Sequence, residues 1–455
     1  MAINFGSYEL LLAEKIKDAS EIESLILSRA LEKLKSGAVD VVATTSDLPT
    51  ATGNENKLYY VTQDKTIYIS NSGTWLSITT TSISKLFAWG LNQYGYLATG
   101  NVICYSSPVQ EVSGSTNWSS VSGGYTHSTA IKADGTLWVW GINTWGQLGI
   151  DGTIHYSSPV QEVSSGTTWS SVSAGNFHTS AIKTDGTLWT WGRNIFGALG
   201  TNDLINYSSP VQEVSSSTNW SSVSSGSQLK YGTTAIKKDG TLWAWGSNSL
   251  GRLGTGDVIS YSSPVQEVSN STNWSSVSAG NFHTSAIKTD GTLWSWGRNN
   301  LGALGTDDVI CYSSPVQEVS GSTNWSSVSC TDNATAAIKT DGTLWTWGNN
   351  NYGQLGTGDV VSYSSPVQEV SNSTNWSSVS AGYQQFSESY MSAIKTDGTL
   401  WSWGQNSSGR LGTNNQINYS SPVQEVSSST NWSSVSTGGA HNLAISAITV
   451  SPRSY

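Results

Sequence analysis

Near-verbatim repetition of one unit leaves this 455-residue chain few folds to choose from. The unit combines a Trp-Gly pair after a short apolar run, a Tyr-Ser-Ser-Pro-Val-Gln-Glu-Val segment, an Asn-Trp-Ser-Ser-Val-Ser segment and an Asp-Gly-Thr-Leu-Trp segment. The Trp-Gly tryptophans are Trp89, Trp140, Trp191, Trp245, Trp296, Trp347 and Trp403, spaced by 51, 51, 54, 51, 51 and 56 residues. Seven units at a period near 50 indicate a propeller or a solenoid. Within residues 179–191 the pair Asp185-Gly186 separates two short alternating runs, a strong hairpin signal because both turn residues tolerate positive φ. Trp189 and Trp191 then share one face of their strand. Val-Gln-Glu-Val and Ser-Ser-Val-Ser supply two further short strands, so each unit reads as a four-stranded propeller blade.

The ends of the repeat region decide between an open stack and a closed ring. The first unit starts at Lys85-Leu86-Phe87-Ala88-Trp89-Gly90 without the two preceding strands. The last copy, residues 432–445, has those two strands and stops before its Trp-Gly strand. A seventh blade made from residues 432–448 and 84–112 latches the first strand to the last and removes the exposed edges of an open array.

The run Trp347-Gly348-Asn349-Asn350-Asn351-Tyr352-Gly353-Gln354-Leu355-Gly356, together with Ala174-Gly175-Asn176-Phe177-His178, resembles the repeat of the regulator-of-chromosome-condensation family. The resemblance implies a mainly β, seven-bladed propeller over residues 83–455. It implies no single activity, since such propellers include exchange factors, enzyme inhibitors and adhesion modules, and fold is a weak guide to function.

Composition removes several classes. With 31 acidic against 21 basic residues the net charge is −10, and no Lys/Arg run occurs, so the electrostatic footprint for nucleic acid is missing. Chromatin binding and nucleotide exchange are not expected. Cys104 and Cys311 occupy equivalent positions in separate blades, too far apart to bridge, and Cys330 lies in another loop, so free thiols are expected. Neither a signal peptide nor an apolar segment long enough to span a bilayer is evident, which predicts a protein made in a cytoplasm and not inserted in a membrane.

Residues 1–82 are a different kind of sequence. From Tyr8 to Lys35, Leu12, Ile16, Ala19, Ile22, Ile26, Ala30 and Leu34 recur at helical spacing, with Ser7 and Gly37 as caps, predicting an amphipathic helix within an N-terminal segment of residues 1–38; a capping box at Ser20 and Glu23 leaves two shorter helices open. Leu12, Ile16, Ile22, Ile26 and Leu34 form its candidate attachment stripe, for a partner or for copies of itself. Residues 39–82 read as a β-meander with strands near Val39–Thr45, Leu58–Val61, Thr66–Ser70 and Thr74–Ile78, followed by a Thr/Ser linker. The phrase Ala43-Thr44-Thr45-Ser46-Asp47-Leu48-Pro49 and the hairpins after it resemble modules of bacteriophage tail-fibre and other virion proteins.

No hydrolase, phosphate-loop, metalloprotease or calcium-loop pattern occurs, and no cofactor or metal is expected. The repeated Glu111, Glu162, Glu213, Glu267, Glu318, Glu369 and Glu425 belong to separate blades and are read as structural. His127, His178, His283 and His441 share one position after the Ser-Val-Ser strand and are read as buried residues bonded to loop backbone, with His155 on the surface.

The copies differ in two loops, and there the candidate binding residues lie. After each Trp-Gly the Asn is constant while its neighbours vary, offering Tyr94, Trp145, Arg193, Phe196, Arg298 and Tyr352. The second loop carries insertions that contribute Lys230 and Tyr231 in one blade and Tyr383, Phe386 and Tyr390 in another. Aromatic loop residues are common binding anchors. The resulting expectation is a non-enzymatic virion protein of a phage, assembled in the bacterial cytoplasm, attached through residues 1–82 to other virion proteins and binding a host-surface glycan or protein through its propeller. Homo-oligomerisation is left open. A propeller-type enzyme inhibitor and an intracellular interaction scaffold are the alternatives.

Overall fold

The computed structural model describes residues 40–42, 48–49, 58–61, 66–71, 74–78 and 81–450, except 227–231 and 385–387. The proposed N-terminal helix and its stripe Leu12, Ile16, Ile22, Ile26 and Leu34 lie outside the described residues.

Residues 84–446 form one compact unit of seven four-stranded sheets. Blades one to six are residues 118–161, 169–212, 220–266, 274–317, 325–368 and 376–424, each with strands in sequential order. In blade two the strands are Trp169–Ala174, His178–Lys183, Leu188–Gly192 and Tyr207–Gln212, antiparallel throughout. Blade seven takes Trp432–Thr437 and His441–Val450 from the end of the repeat region and Thr81–Gly90 and Tyr105–Gln110 from its start, in that order. The strand from the end thus hydrogen-bonds the strand from the start, and the ring closes.

Local chemistry explains the repeated letters. At the second turn of blade two, Asp185 Oδ1 accepts from Thr187 N at 2.9 Å and Thr187 Oγ1 at 2.7 Å, and Thr187 Oγ1 accepts from Trp189 Nε1 at 2.9 Å. The Gly of Trp-Gly is required where the strand leaves the sheet: Gly192 has φ +102°, and a Cβ there would lie 2.5 Å from Phe177 O. The Glu of Val-Gln-Glu-Val is a buried clip. Glu213 accepts from the backbone of Ser215 at 2.7 Å and of Ser217 at 3.1 Å, and from Trp220 Nε1 at 3.1 Å, joining the outer strand of one blade to the inner strand of the next. All seven such carboxylates accept the indole N–H seven residues on.

Two further sets of bonds stitch blade to blade around the whole ring. The last Ser of each Ser-Val-Ser accepts a backbone N–H from the equivalent strand of the next blade at 2.9–3.0 Å, from Ser122 with Ala174 round to Ser436 with Gly123. These first strands are therefore the innermost. Each Trp-Gly indole donates to a carbonyl in the preceding blade at 2.7–2.9 Å, as Trp191 does to Gln147 O. Between the stitches each blade buries a pair of tryptophans, as in Trp220–Trp245 with ring centroids 5.9 Å apart. Six blades also park a lysine 4.1–4.9 Å over two tryptophan rings, beside the Asp-Gly turn.

The other compact unit takes residues 1–83 and 447–455. Its described strands are Asp40–Val42, Leu58–Val61, Thr66–Asn71 and Thr74–Ile78. The last three are antiparallel, but Asp40–Val42 runs parallel to Leu58–Val61, so the sheet is not a simple meander. The long connection over residues 43–57 lets the chain return in the same direction, which a tight turn forbids.

Candidate functional site

Strands alternate in direction, so every connection from first to second strand and from third to fourth emerges on one face, here called upper. The two loops in which the copies differ are these, and all four arginines of residues 84–446 (Arg193, Arg252, Arg298 and Arg410) lie there.

The constant Asn after Trp-Gly anchors the longer loop. Asn194 Oδ1 accepts from Leu199 N at 2.9 Å, while its Nδ2 donates to Thr201 Oγ1 and to the Asp203 carboxylate and carbonyl at 2.8–3.1 Å. Asp203 also accepts from Tyr207 Oη at 2.8 Å. The Asp of each Gly-Thr-Gly-Asp-like piece is thus spent on its own loop, and among the described residues no cluster of three or more His, Cys, Asp or Glu suits a metal.

On this frame the variable side chains of blades one and two come together. The Arg193 guanidinium lies 4.4 Å over the Trp145 ring and 5.7 Å from that of Phe177, and Tyr125 meets Phe177 edge-on at 6.5 Å. Tyr94 and Phe196 are each 45% exposed. Tyr94 contacts Tyr96, which stacks on His441 at 5.4 Å. Farther round, Arg298 lies 4.8 Å over Phe282. Tyr352 is half-buried, its N–H donating to Gln354 Oε1. Lys230, Tyr231 and Phe386 lie outside the described residues, as does the side chain of Tyr383.

Tyr390 is a correction. It is fully buried, and its hydroxyl donates to His441 O at 2.6 Å and Gly438 O at 3.1 Å. The inserted residues of blade six lengthen a hairpin, pairing Gln384 with Glu388, so counting along the register places Tyr390 opposite Gly404, where other blades carry the histidine.

The histidines are buried, and the Nε2 of each meets a hydroxyl; His283 also approaches loop backbone, at Asp332. His127 Nε2 meets Thr179 Oγ1 of the next blade at 2.8 Å, and that hydroxyl donates to Gln147 O. The ring is therefore the donor. His178, His283 and His441 repeat the contact with Thr233, Thr335 and Ser128. Burial pushes His178 and His283 down to about 4 and His127 and His441 to about 3, the last two also depressed by neighbouring His178 and His441 or by Arg410. They are neutral struts. His155 is exposed, with Nδ1 accepting from Asn143 N at 2.9 Å.

Three features of this face escaped the sequence reading. Phe177, Phe282 and Tyr125 were not among the candidate binding residues, Phe177 having been read only as part of the family repeat. Aliphatic pairs such as Leu204-Ile205, Val258-Ile259 and Val309-Ile310, 59–66% exposed, recur in the longer loops. Asp332 is a buried carboxyl where blades two and four carry Asn.

Seven sequential antiparallel blades with an inner ring of Ser-Val-Ser strands define a closed β-propeller. The chain belongs to the RCC1-like domain family: the family model of that description matches residues 168–450, and the regulator of chromosome condensation (RCC1) repeat matches residues 84–131 and 134–182. Among curated proteins it is 30% identical over 333 residues to the ultraviolet-B receptor UVR8 of Arabidopsis thaliana, covering 71% of this chain and 74% of that one. It is 27% identical over 369 residues to the mitochondrial RCC1 domain-containing protein RUG3 of the same plant, covering 72% and 79%. Among solved structures, Prp20p of Saccharomyces cerevisiae superposes with a TM-score of 0.70 at 17% identity, over 82% of this chain and 92% of that one.

Proposed function

We propose that this protein is a non-enzymatic protein-interaction module that engages its partner through the upper face of the propeller. The observation that carries the reading is the Trp145–Arg193–Phe177 stack, flanked by exposed Tyr94 and Phe196, on a scaffold whose strands scarcely vary. Stacked arginines and aromatics lose little conformational freedom on binding and dominate many protein interfaces. Six lysines beside the lower-face turns, though not Lys238, are already committed to tryptophan rings. Kinship supports a protein partner: Prp20p, similar in fold, is described with binding properties towards Gsp1p and histones and in a complex with Kap60. The relatives named above are eukaryotic and lend nothing to a virion role or to the virion partners expected from residues 1–82.

The test uses three baits in one source: the wild type, the upper-face variant Trp145→Ala/Arg193→Ala/Phe196→Ala, and the lower-face control Lys238→Ala/Thr289→Ala. Proteins retained by the wild type and the control but lost by the upper-face variant, with all three equally stable, are the expected result. Equal retention by all three, or selective loss by the lower-face control, overturns the proposal.

A further inference from the structure

Asp-Gly-Thr occurs seven times in the chain: six times in the hairpin turns, at Asp134, Asp185, Asp239, Asp290, Asp341 and Asp397, and once at Asp151. The seventh copy stands in the longer upper-face loop of blade one, between Leu137–Gly141 and Tyr156–Gln161. Asp-Gly is the pair in which a side-chain carboxyl most readily condenses with the following amide, because glycine puts no Cβ in the way. With the tripeptide identical at all seven places, the surroundings decide whether it does.

The six hairpins hold both reacting groups. In each, the glycine N–H donates at 2.9 Å to the carbonyl of the lysine three residues before it, as Gly186 does to Lys183 O. The Asp Oδ1 accepts from the Thr backbone N–H at 2.9–3.0 Å and from the Thr hydroxyl at 2.6–2.7 Å. That hydroxyl, with the backbone N–H, holds each carboxyl below the usual carboxylate range, and a carboxylate ion is a poor electrophile.

At Asp151 these restraints are missing. Among the described residues its carboxyl accepts only from Ser209 Oγ, at 3.3 Å, and Gly152 N–H meets no acceptor. A Cβ on Gly152 would have no atom within 4 Å. The loop is also the odd copy. Where blade two has Thr201 and Asp203, whose side chains clasp Asn194, Tyr207 and the backbone of Ile205, blade one has Ile150 and Gly152, and Asn143 Nδ2 keeps only Gly152 O at 2.8 Å. Asp307 occupies the place of Asp151 in blade four, but the residue after it is Asp308, bonded through its carboxylate to Asn299, Thr306 and Tyr312.

From this contrast we infer that Asp151-Gly152 is a site of spontaneous covalent modification, where an isoaspartyl linkage forms while the six hairpin copies stay intact. The Gly152 nitrogen attacks Asp151 Cγ; the N–Cγ bond forms, the Cγ–OH bond breaks, and the hydroxyl leaves with the amide proton as water. Water then opens the five-membered ring. Opening at Cγ restores aspartate, and opening at the former main-chain carbonyl leaves the chain running through Cγ with the α-carboxyl free. The product lengthens the main chain beside the 2.9 Å bond from Asp151 N to Ser208 O, which ties blade one to blade two. Its consequence for binding rests on the proposed function, because this loop belongs to the upper face; the modification itself does not.

The experiment incubates the full chain at neutral pH below its unfolding temperature and, in parallel, unfolded in urea, and follows isoaspartate at each of the seven sites by peptide mapping and mass spectrometry. In the native chain Asp151 is expected to convert at least about tenfold faster than any hairpin copy, the rate factor of a single retained hydrogen bond. In urea the seven rates converge, since the tripeptide is the same. Hairpin copies that convert as fast as Asp151 in the native chain overturn the inference. So does an Asp151 that stays intact while the unfolded chain converts, or one that keeps its full lead in urea. No partner enters the measurement, so failure of the binding proposal leaves this result unchanged.

Discussion

At the residue scale the repeat is a set of solved hydrogen-bonding problems. Each buried Glu removes three or four donors from solvent at once, so its loss leaves an indole and two backbone N–H groups unpaired. Glu213→Ala is expected to cost about 2–4 kcal/mol, and Glu213→Gln less, in urea unfolding at neutral pH. The four buried histidines make a pH prediction. Their folded values of about 3–4 lie below the ordinary 6.5, so the unfolded chain binds more protons than the native one between those limits. Stability contributed by their burial is complete above pH 6.5 and is lost as pH falls towards 4, at about 1.4 kcal/mol per pH unit for each histidine. His178→Gln, measured by urea titration at several pH values, should reduce that acid slope; an unchanged slope would show that His178 is protonated in the fold. Asp332 acts with the opposite sign: its raised value means stability present at low pH and lost as pH rises towards about 8.

At the scale of elements, much was legible and the remainder has identifiable causes. The Asp185-Gly186 hairpin and the four strands of blade two could be read because turn chemistry and two-residue alternation are local. The stitches could not, because the partners of Trp191 Nε1 and Ser122 Oγ are 44 and 52 residues away in neighbouring copies. Tyr390 was taken for a loop anchor because an insertion in a repeat looks like extra loop; here it is extra strand, and register decides burial. The parallel pairing of Asp40–Val42 was likewise hidden, since strand direction across a long connection leaves no local mark. Of the candidate face, Tyr94, Trp145, Arg193 and Phe196 were visible as disagreements among copies. Asp332 was visible by the same criterion, as one Asp in an Asn position, but only burial gives it meaning. Tyr390→Phe should fold normally yet lose about 1 kcal/mol, the net worth of the hydroxyl that ties blade six to His441 O; a loss below the error of a urea titration would mean that packing alone holds the ring of Tyr390.

At the scale of the whole molecule, the propeller is a ring of near-identical blades, each joined to its neighbours by the same three kinds of bond, and the loops in which the copies differ emerge on one face. A chain lacking residues 1–80 should retain the β-rich circular dichroism spectrum and unfolding midpoint of the propeller, because residues 84–446 form a compact unit of their own; a collapse of the midpoint would show that the two units fold as one. The central claim is closure: the strand His441–Val450 pairs with Thr81–Gly90, so the last copy and the first share a blade. The most direct measurement is equilibrium unfolding of a chain truncated after residue 440. Closure predicts loss of cooperative unfolding throughout, since blades one and six each lose their neighbour in the ring. A truncated chain that keeps the wild-type midpoint and cooperativity would contradict it.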